Sequence, residues 1–120
     1  MFVWAEYLML ARDLATQGAD EAALRTAVSR AYYAAFCTAR NTLRPDGVNT
    51  DNLRSHWSLW TKYREDPDPI RQIIGEDGNR IRGYRIQADY LDEFPDLSIA
   101  AQDTILIVDR MLESLGDLRR

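Results

Sequence analysis

A run of small residues at positions 27–36, with the sequence AVSRAYYAAF, constrains the fold more than any other part of the chain. Alanine is the best helix former, and its small side chain lets neighbouring helices approach closely. We therefore predict a crowded central helix here. Arg30 lies in the middle of this run, and a guanidinium that keeps its charge needs a partner or a ligand where it is buried.

Helical periodicity and turn residues divide the remaining chain into further helices. The predicted helices are 2–17, ended by Gly18; 20–43, with Asp20 as N-cap; a third capped by Thr50 and running through Thr61; a fourth from Pro69 towards Tyr90; and a last one capped by Ser98. Gly75 and Gly78 each cost about 1 kcal/mol relative to alanine, so they permit a kink or a loop in the fourth helix. The prediction is one all-α domain, 1–120, an up-and-down bundle of four to five helices.

Composition narrows the classes of function. Cys37 and His56 are the only cysteine and histidine, which argues against a disulfide framework and against a multi-cysteine or multi-histidine metal site within one chain. Phosphate-loop, dinucleotide and hydrolase motifs are absent, so we expect no cofactor. The net charge of −4 argues against broad electrostatic binding of nucleic acid but allows a local basic site. Without a signal peptide or membrane-spanning run, the expected location is cytoplasmic, with no membrane contact.

Basic residues concentrate on the predicted fourth helix. Arg82, Arg85 and Asp89 are three, four and seven residues apart, so they share one helix face. One interpretation is an exposed ion pair between Arg85 and Asp89, contributing a few tenths of a kcal/mol. The other is a pocket that grips phosphate, because planar arginines match phosphate oxygens bidentately. Tyr90 lies about 140° from Arg85 around an ideal helix, so convergence would need a distorted helix or a second subunit.

Arg30 also has two interpretations. It either pairs with a carboxylate of a neighbouring helix, such as Asp89, or faces the same pocket as Arg82 and Arg85. Tyr33 and its neighbour Tyr32 are predicted to be core residues whose hydroxyl groups reach the edge of the core.

Two blocks of this sequence resemble small prokaryotic HEPN-domain proteins. The blocks are EAALRTAVSRAYYAAF at 21–36 and RIRGYRIQADY at 80–90, and the resemblance extends to SHW at 55–57 and to the final amphipathic helix. It implies a helical bundle that commonly pairs as a homodimer. Many HEPN proteins are metal-independent ribonucleases, with an arginine followed by four to six residues and then a histidine, near the dimer interface.

The resemblance assigns the catalytic positions to Arg85 and Tyr90. Tyr90 stands where the ribonucleases carry histidine, and Ile86 stands where many of them carry asparagine or aspartate. Tyrosine has an ordinary pKa of about 10, so it is a poor general base at neutral pH, although it can donate a hydrogen bond to a phosphate.

The leading hypothesis is binding of RNA or a nucleotide phosphate through Arg82, Arg85 and Arg30. Asp89, Tyr33 and His56 are expected to support this site, in a protein that forms one component of a toxin–antitoxin or defence module. One alternative is an active metal-independent ribonuclease that uses Arg85 with Tyr90 or His56. Another is a protein–protein interaction module with structural arginines. The family also implies a nucleotidyltransferase partner that modifies a tyrosine.

Overall fold

The computed structural model describes residues 1–43 and 56–118, and all regular secondary structure within these ranges is helical. The helices are α1 (Glu6–Leu14), α2 (Glu21–Leu43), α3 (His56–Arg64), α4 (Pro69–Tyr90) and α5 (Leu97–Leu118). The prediction of an all-α bundle is therefore confirmed. None of the described helices is both long enough and apolar enough to cross a bilayer.

Contacts between helices show the direction in which each one runs. The α2 residues Ser29 and Tyr33 meet Asp89 and Arg85 of α4, so these two helices are antiparallel. Helices α1, α2, α4 and α5 alternate in direction along the chain. Helices α1 and α2 are antiparallel, because Arg30 contacts Tyr7 while Arg40 contacts Trp4. Helices α4 and α5 are antiparallel, because Asp77 pairs with Arg110 while Arg80 pairs with Asp103. Helix α3 is different because it runs parallel to α2: Tyr32 contacts His56, and further along Ala39 contacts Tyr63.

Helix α2 is the crowded central helix that its sequence predicts. It packs against α1, α4 and α5. Its alanines at 27, 31, 34, 35 and 39 have no exposed surface. Because a methyl group is the only side-chain volume at these positions, three helices approach α2 closely on different sides.

The predicted start signals of two helices are confirmed. The Asp20 carboxylate accepts a hydrogen bond from the backbone N–H of Ala23 at 2.8 Å, as an N-cap does. The Asp68 carboxylate accepts from the N–H of Ile70 at 2.9 Å, and Pro69 occupies the first helical position, where its missing N–H costs no hydrogen bond.

Other predicted helix ends are wrong. The first helix is shorter than 2–17 at both ends, since it covers Glu6–Leu14. Phe2 lies before it and contacts Trp4 and Tyr7, with ring centroids 4.9 and 5.1 Å apart. Gly18, with φ +82°, lies in the loop beyond α1 rather than directly at its end. Ser98 is the second residue of α5, so it is not the cap. The predicted cap Thr50 lies outside the described residues.

Gly75 and Gly78 do not interrupt α4, so the kink or loop that they permitted does not form. Helix α4 is continuous from Pro69 to Tyr90 because the glycines allow α3 to approach its backbone. A Cβ atom on Gly75 would lie 2.5 Å from the backbone nitrogen of Arg64, and a Cβ atom on Gly78 would overlap the ring of Trp60. The helix propensity lost at these positions is offset by close packing.

Substituting Gly78→Ala is expected to lower the free energy of unfolding by about 1–3 kcal/mol, because the added methyl group overpacks the interface with Trp60. Gly83→Ala is the matched control in the same helix, since nothing lies within 4 Å of the added carbon. It should raise stability by up to about 1 kcal/mol. Urea denaturation followed by circular dichroism measures both, and equal stability of the two variants would contradict the packing argument.

Candidate functional site

Arg85 lies at the centre of a cluster formed by α2 and α4. Its Nε donates to Asp89 at 3.1 Å, so the i,i+4 ion pair forms as the spacing predicts. Arg85 is partly buried, with 13% of its side-chain surface accessible, whereas Asp89 lies at the exposed surface of α4. Arg85 also donates to the Tyr33 hydroxyl at 2.8 Å. These two bonds fix the guanidinium between the helices.

Arg85 and Tyr90 meet within one chain, contrary to the expectation that this needs a distorted helix or a second subunit. The guanidinium carbon lies 5.6 Å from the centroid of the Tyr90 ring, within the range of a cation–π contact. Side chains on a helix point back towards its N-terminus, so the ring of Tyr90 reaches towards the long side chain of Arg85. Tyr90 is the last residue of α4 and is 70% exposed.

Tyr32 links α2 to α3 through two hydrogen bonds of its hydroxyl group. The indole N–H of Trp60 can only donate, and it lies 3.0 Å from the Tyr32 oxygen. The tyrosine proton is therefore directed to Nδ1 of His56 at 2.8 Å. This pattern assigns the neutral His56 ring its own proton on Nε2. Tyr32 is fully buried, and burial raises its pKa above the ordinary value.

His56 is packed, as its neighbours in sequence predict, but mainly by aromatic residues of α2. Its ring stacks on Phe36 with centroids 4.0 Å apart. Burial, and to a lesser extent the positive charges of Arg85 and Arg82, together lower the pKa of His56 from 6.5 to about 4. The ring is consequently neutral at pH 7, and its Nδ1 is already occupied by the proton of Tyr32.

Arg82 faces the same cluster as Arg85. It lies three residues before Arg85 on the same face of α4, and its positive charge acts in the direction that lowers the pKa of both Tyr32 and His56. Within residues 1–43 and 56–118, Asp89 is the one carboxylate that forms an ion pair with either arginine, and its partner is Arg85. Among the residues that the structure describes, positive charge is therefore in excess around Arg82 and Arg85, although the whole chain has a net charge of −4.

Arg30 does not form the direct ion pair with Asp89 that one interpretation of the sequence expected. It donates to the hydroxyl of Ser29 at 3.4 Å, and Ser29 in turn donates to Asp89 at 3.4 Å. The guanidinium carbon of Arg30 lies 5.1 Å from the Tyr33 ring centroid, and that of Arg85 lies 5.3 Å from the same centroid. Tyr33 thus connects Arg30 to the site.

Arg25 is a residue of this site that the sequence reasoning missed. Its guanidinium donates to the backbone oxygens at the end of α4, including Ala88 at 3.1 Å, Leu91 at 2.6 Å and Asp92 at 2.9 Å. The last carbonyl groups of a helix have no partner within the helix, so Arg25 satisfies them and fixes the turn that carries Asp89 and Tyr90. A sequence signal could have identified Arg25: it lies four residues before Ser29, on the face of α2 that meets α4.

The cluster is suited to holding an anion and poorly suited to proton transfer. Arg82 and Arg85 supply fixed charge beside neutral, buried rings, which weakens solvent screening. His56 has a low pKa and an occupied Nδ1, and tyrosine at position 90 is a weak base. Among the described residues, no three histidine, cysteine or acidic side chains are grouped as metal ligands.

His56 provides a direct test of this electrostatic arrangement. We expect its pKa in the folded protein to be about 4 against about 6.5 when unfolded. The unfolded chain therefore binds more protons between these values, so the free energy of unfolding falls as the pH drops from about 6.5 to about 4. NMR titration follows the single histidine, and His56→Gln should weaken the pH dependence. Arg82→Gln should raise the pKa, and a folded-state pKa near 6.5 would contradict the arrangement.

Comparison with known proteins identifies the family of nearly the whole helical bundle. The family model described as HEPN domain matches residues 6–118, a segment that includes all five helices and every side chain of the site. Comparison with curated proteins gave no significant match, and neither did comparison with solved structures. HEPN domains are often linked to RNA cleavage or to nucleotide-related functions. On the strength of this nearly full-length match, the chain belongs to the HEPN-domain family.

Proposed function

We propose that this HEPN-domain protein binds the phosphate of RNA or of a nucleotide at Arg82 and Arg85. The observation that carries the proposal is the position of Arg85, whose guanidinium carbon lies 5.7 Å from the centroid of the buried Tyr32 ring. Arg82 precedes it by three residues on the same face of α4, and Asp89 is the one carboxylate among the described residues that pairs with either arginine. A phosphate group carries the opposite charge and accepts several hydrogen bonds from a guanidinium. Arg30 supports the site through Tyr33.

Tyr90 complements the arginines in this proposal. Its ring is 70% exposed and lies beside Arg85, so a base attached to the bound phosphate could stack on it. Asp89 has two opposing effects, because it orients Arg85 and also repels an approaching anion.

We further propose that the protein acts as a cytoplasmic homodimer, as one component of a toxin–antitoxin or defence module that includes a nucleotidyltransferase.

The proposal can be tested by calorimetric titration of the protein with AMP and with a short single-stranded RNA. Arg82→Gln is expected to weaken both about tenfold or more, as for loss of a charged hydrogen bond of about 1.5–3 kcal/mol. Asp89→Asn should strengthen both several-fold, because a negative charge is removed from the site.

Arg110→Gln is the control for overall charge, because Arg110 pairs with Asp77 across α4 and α5, away from the cluster. Equal losses of affinity in the Arg82 and Arg110 variants would refute a specific phosphate site. Unchanged affinity in the Arg85→Ala and Arg30→Ala variants, together with lower melting temperatures, would instead identify an interaction module with structural arginines.

Cleavage of RNA is the second candidate function, favoured by the family and by the contact between Arg85 and Tyr90. We expect the purified protein in chelator to cleave RNA no faster than its Arg85→Ala variant, because neither His56 nor Tyr90 offers a ready base at neutral pH. Gel analysis of a labelled RNA measures this. Cleavage that disappears in the Arg85 variant would establish a ribonuclease and overturn binding alone.

A further inference from the structure

Arginine and aromatic side chains alternate from the phosphate site across α2 to the start of the chain. The series, which we name the arginine–aromatic track, consists of Tyr90, Arg85, Tyr33, Arg30, Tyr7 and Trp4. It involves three different helical regions and continues well beyond Arg82 and Arg85. The proposed phosphate site uses only its first part.

Each step of the track is a direct contact. Arg85 lies 5.6 Å from the Tyr90 ring centroid and 5.3 Å from that of Tyr33. Arg30 then connects α2 to α1, since its guanidinium carbon is 5.1 Å from the Tyr33 centroid and 5.0 Å from that of Tyr7. Tyr33 and Tyr7 are therefore joined through one guanidinium.

The far end of the track is a second cluster of rings and charge. Tyr7 and Trp4 meet edge to face with centroids 5.7 Å apart. Phe2 contacts both of these rings, at 5.1 and 4.9 Å, and is itself 47% exposed. Arg40 of α2 places its guanidinium carbon 5.7 Å from the Trp4 centroid. We call these four residues, Phe2, Trp4, Tyr7 and Arg40, the distal cluster.

Charge and exposure along the track differ from those of a core. Tyr90, at one end of the track, is 70% exposed, and Phe2, in the distal cluster at the other end, is 47% exposed. Arg30 of the track and Arg40 of the distal cluster are half-buried. Among the described residues, Asp89 is the one carboxylate paired with an arginine of the track. Three positive charges follow one path on a chain with a net charge of −4.

A stacked arginine can still bind phosphate. A cation–π contact uses the face of the guanidinium, whereas its N–H groups point outward in the plane. Arg30 donates to Ser29 and Arg40 to Asn41, at 3.4 and 3.2 Å, and a guanidinium has five N–H groups in total. The rings thus hold the arginines in place while their edges carry donors for oxygen atoms.

We propose that the track binds a single strand of nucleic acid several nucleotides long, with the distal cluster as a second subsite. Bases stack on the exposed rings at Tyr90 and Phe2, and the phosphates between them follow Arg85, Arg30 and Arg40. Aromatic platforms joined by a line of positive charge are how proteins hold unpaired strands. This inference rests on the proposed phosphate site and extends it from one phosphate to a strand.

The test measures affinity against strand length, with AMP and oligoadenylates of two, four, eight and twelve nucleotides. Affinity should rise with length and level off once the strand reaches the distal cluster. Phe2→Ala should weaken the eight-nucleotide strand at least about fivefold, the effect of losing one base stack, and leave AMP unchanged. Phe2 is exposed, so this variant is expected to keep its fold, which melting curves check.

Arg40→Gln provides a second measurement. It should reduce the slope of log affinity against log salt by about 0.7 for the eight-nucleotide strand, as for one lost phosphate contact, whereas Arg110→Gln should not. Measuring the same sequence as single-stranded DNA shows whether the site prefers RNA or DNA. A duplex of equal length should bind more weakly, because its bases are not free to stack.

The outcomes separate this inference from the proposed function. Strands that bind no better than AMP, while Arg82→Gln still weakens AMP, would overturn the track and leave the phosphate site. Unchanged affinity of the eight-nucleotide strand in both the Phe2→Ala and Arg40→Gln variants would also overturn it. An Arg82→Gln variant that binds AMP and all strands normally would overturn the proposed function itself.

Discussion

The packing of Trp60 against the bare backbone of α4 at Gly75 and Gly78 is the contact on which the rest of the site depends. It brings α3 close enough to α4 that a side chain at either glycine would collide with α3. The same indole donates to Tyr32, and Tyr32 donates to His56. Trp60 therefore fixes both the distance between α3 and α4 and the hydrogen bonds that keep Tyr32 and His56 neutral.

The neutral Tyr32–His56 pair is the physical reason why we propose binding rather than catalysis for this cluster. Burial and two nearby guanidinium groups keep a proton off His56, and Tyr32 already occupies its Nδ1. The same positive field that disables a base attracts an anion. Arg85, which the family resemblance assigns to the arginine of the ribonuclease motif, is therefore surrounded by groups that support the proposal of phosphate binding more than that of proton transfer.

Local chemistry explains which parts of the fold could be predicted. Asp20 and Pro69 mark helix starts through bonds to their immediate neighbours, so the sequence identifies them. The effect of Gly78 on stability could not be predicted in the same way. Whether glycine stabilises or destabilises α4 at this position depends on the contact with Trp60, eighteen residues away in the chain. The contact between Arg85 and Tyr90 was not predicted, because the angle between two positions around a helix takes no account of the length and direction of their side chains.

The sequence by itself determined the helical class, the central position of α2 and the family, because alanine content, helical period and the two motif blocks are properties of neighbouring residues. Only the tertiary structure decided which groups the arginines contact. The partners of Arg30 and Arg85 come from three helices, and Tyr7 lies 23 residues before Arg30 in the chain. Charge spacing shows that two arginines share a face, but the burial and the rings that give them a role arise only when the helices pack.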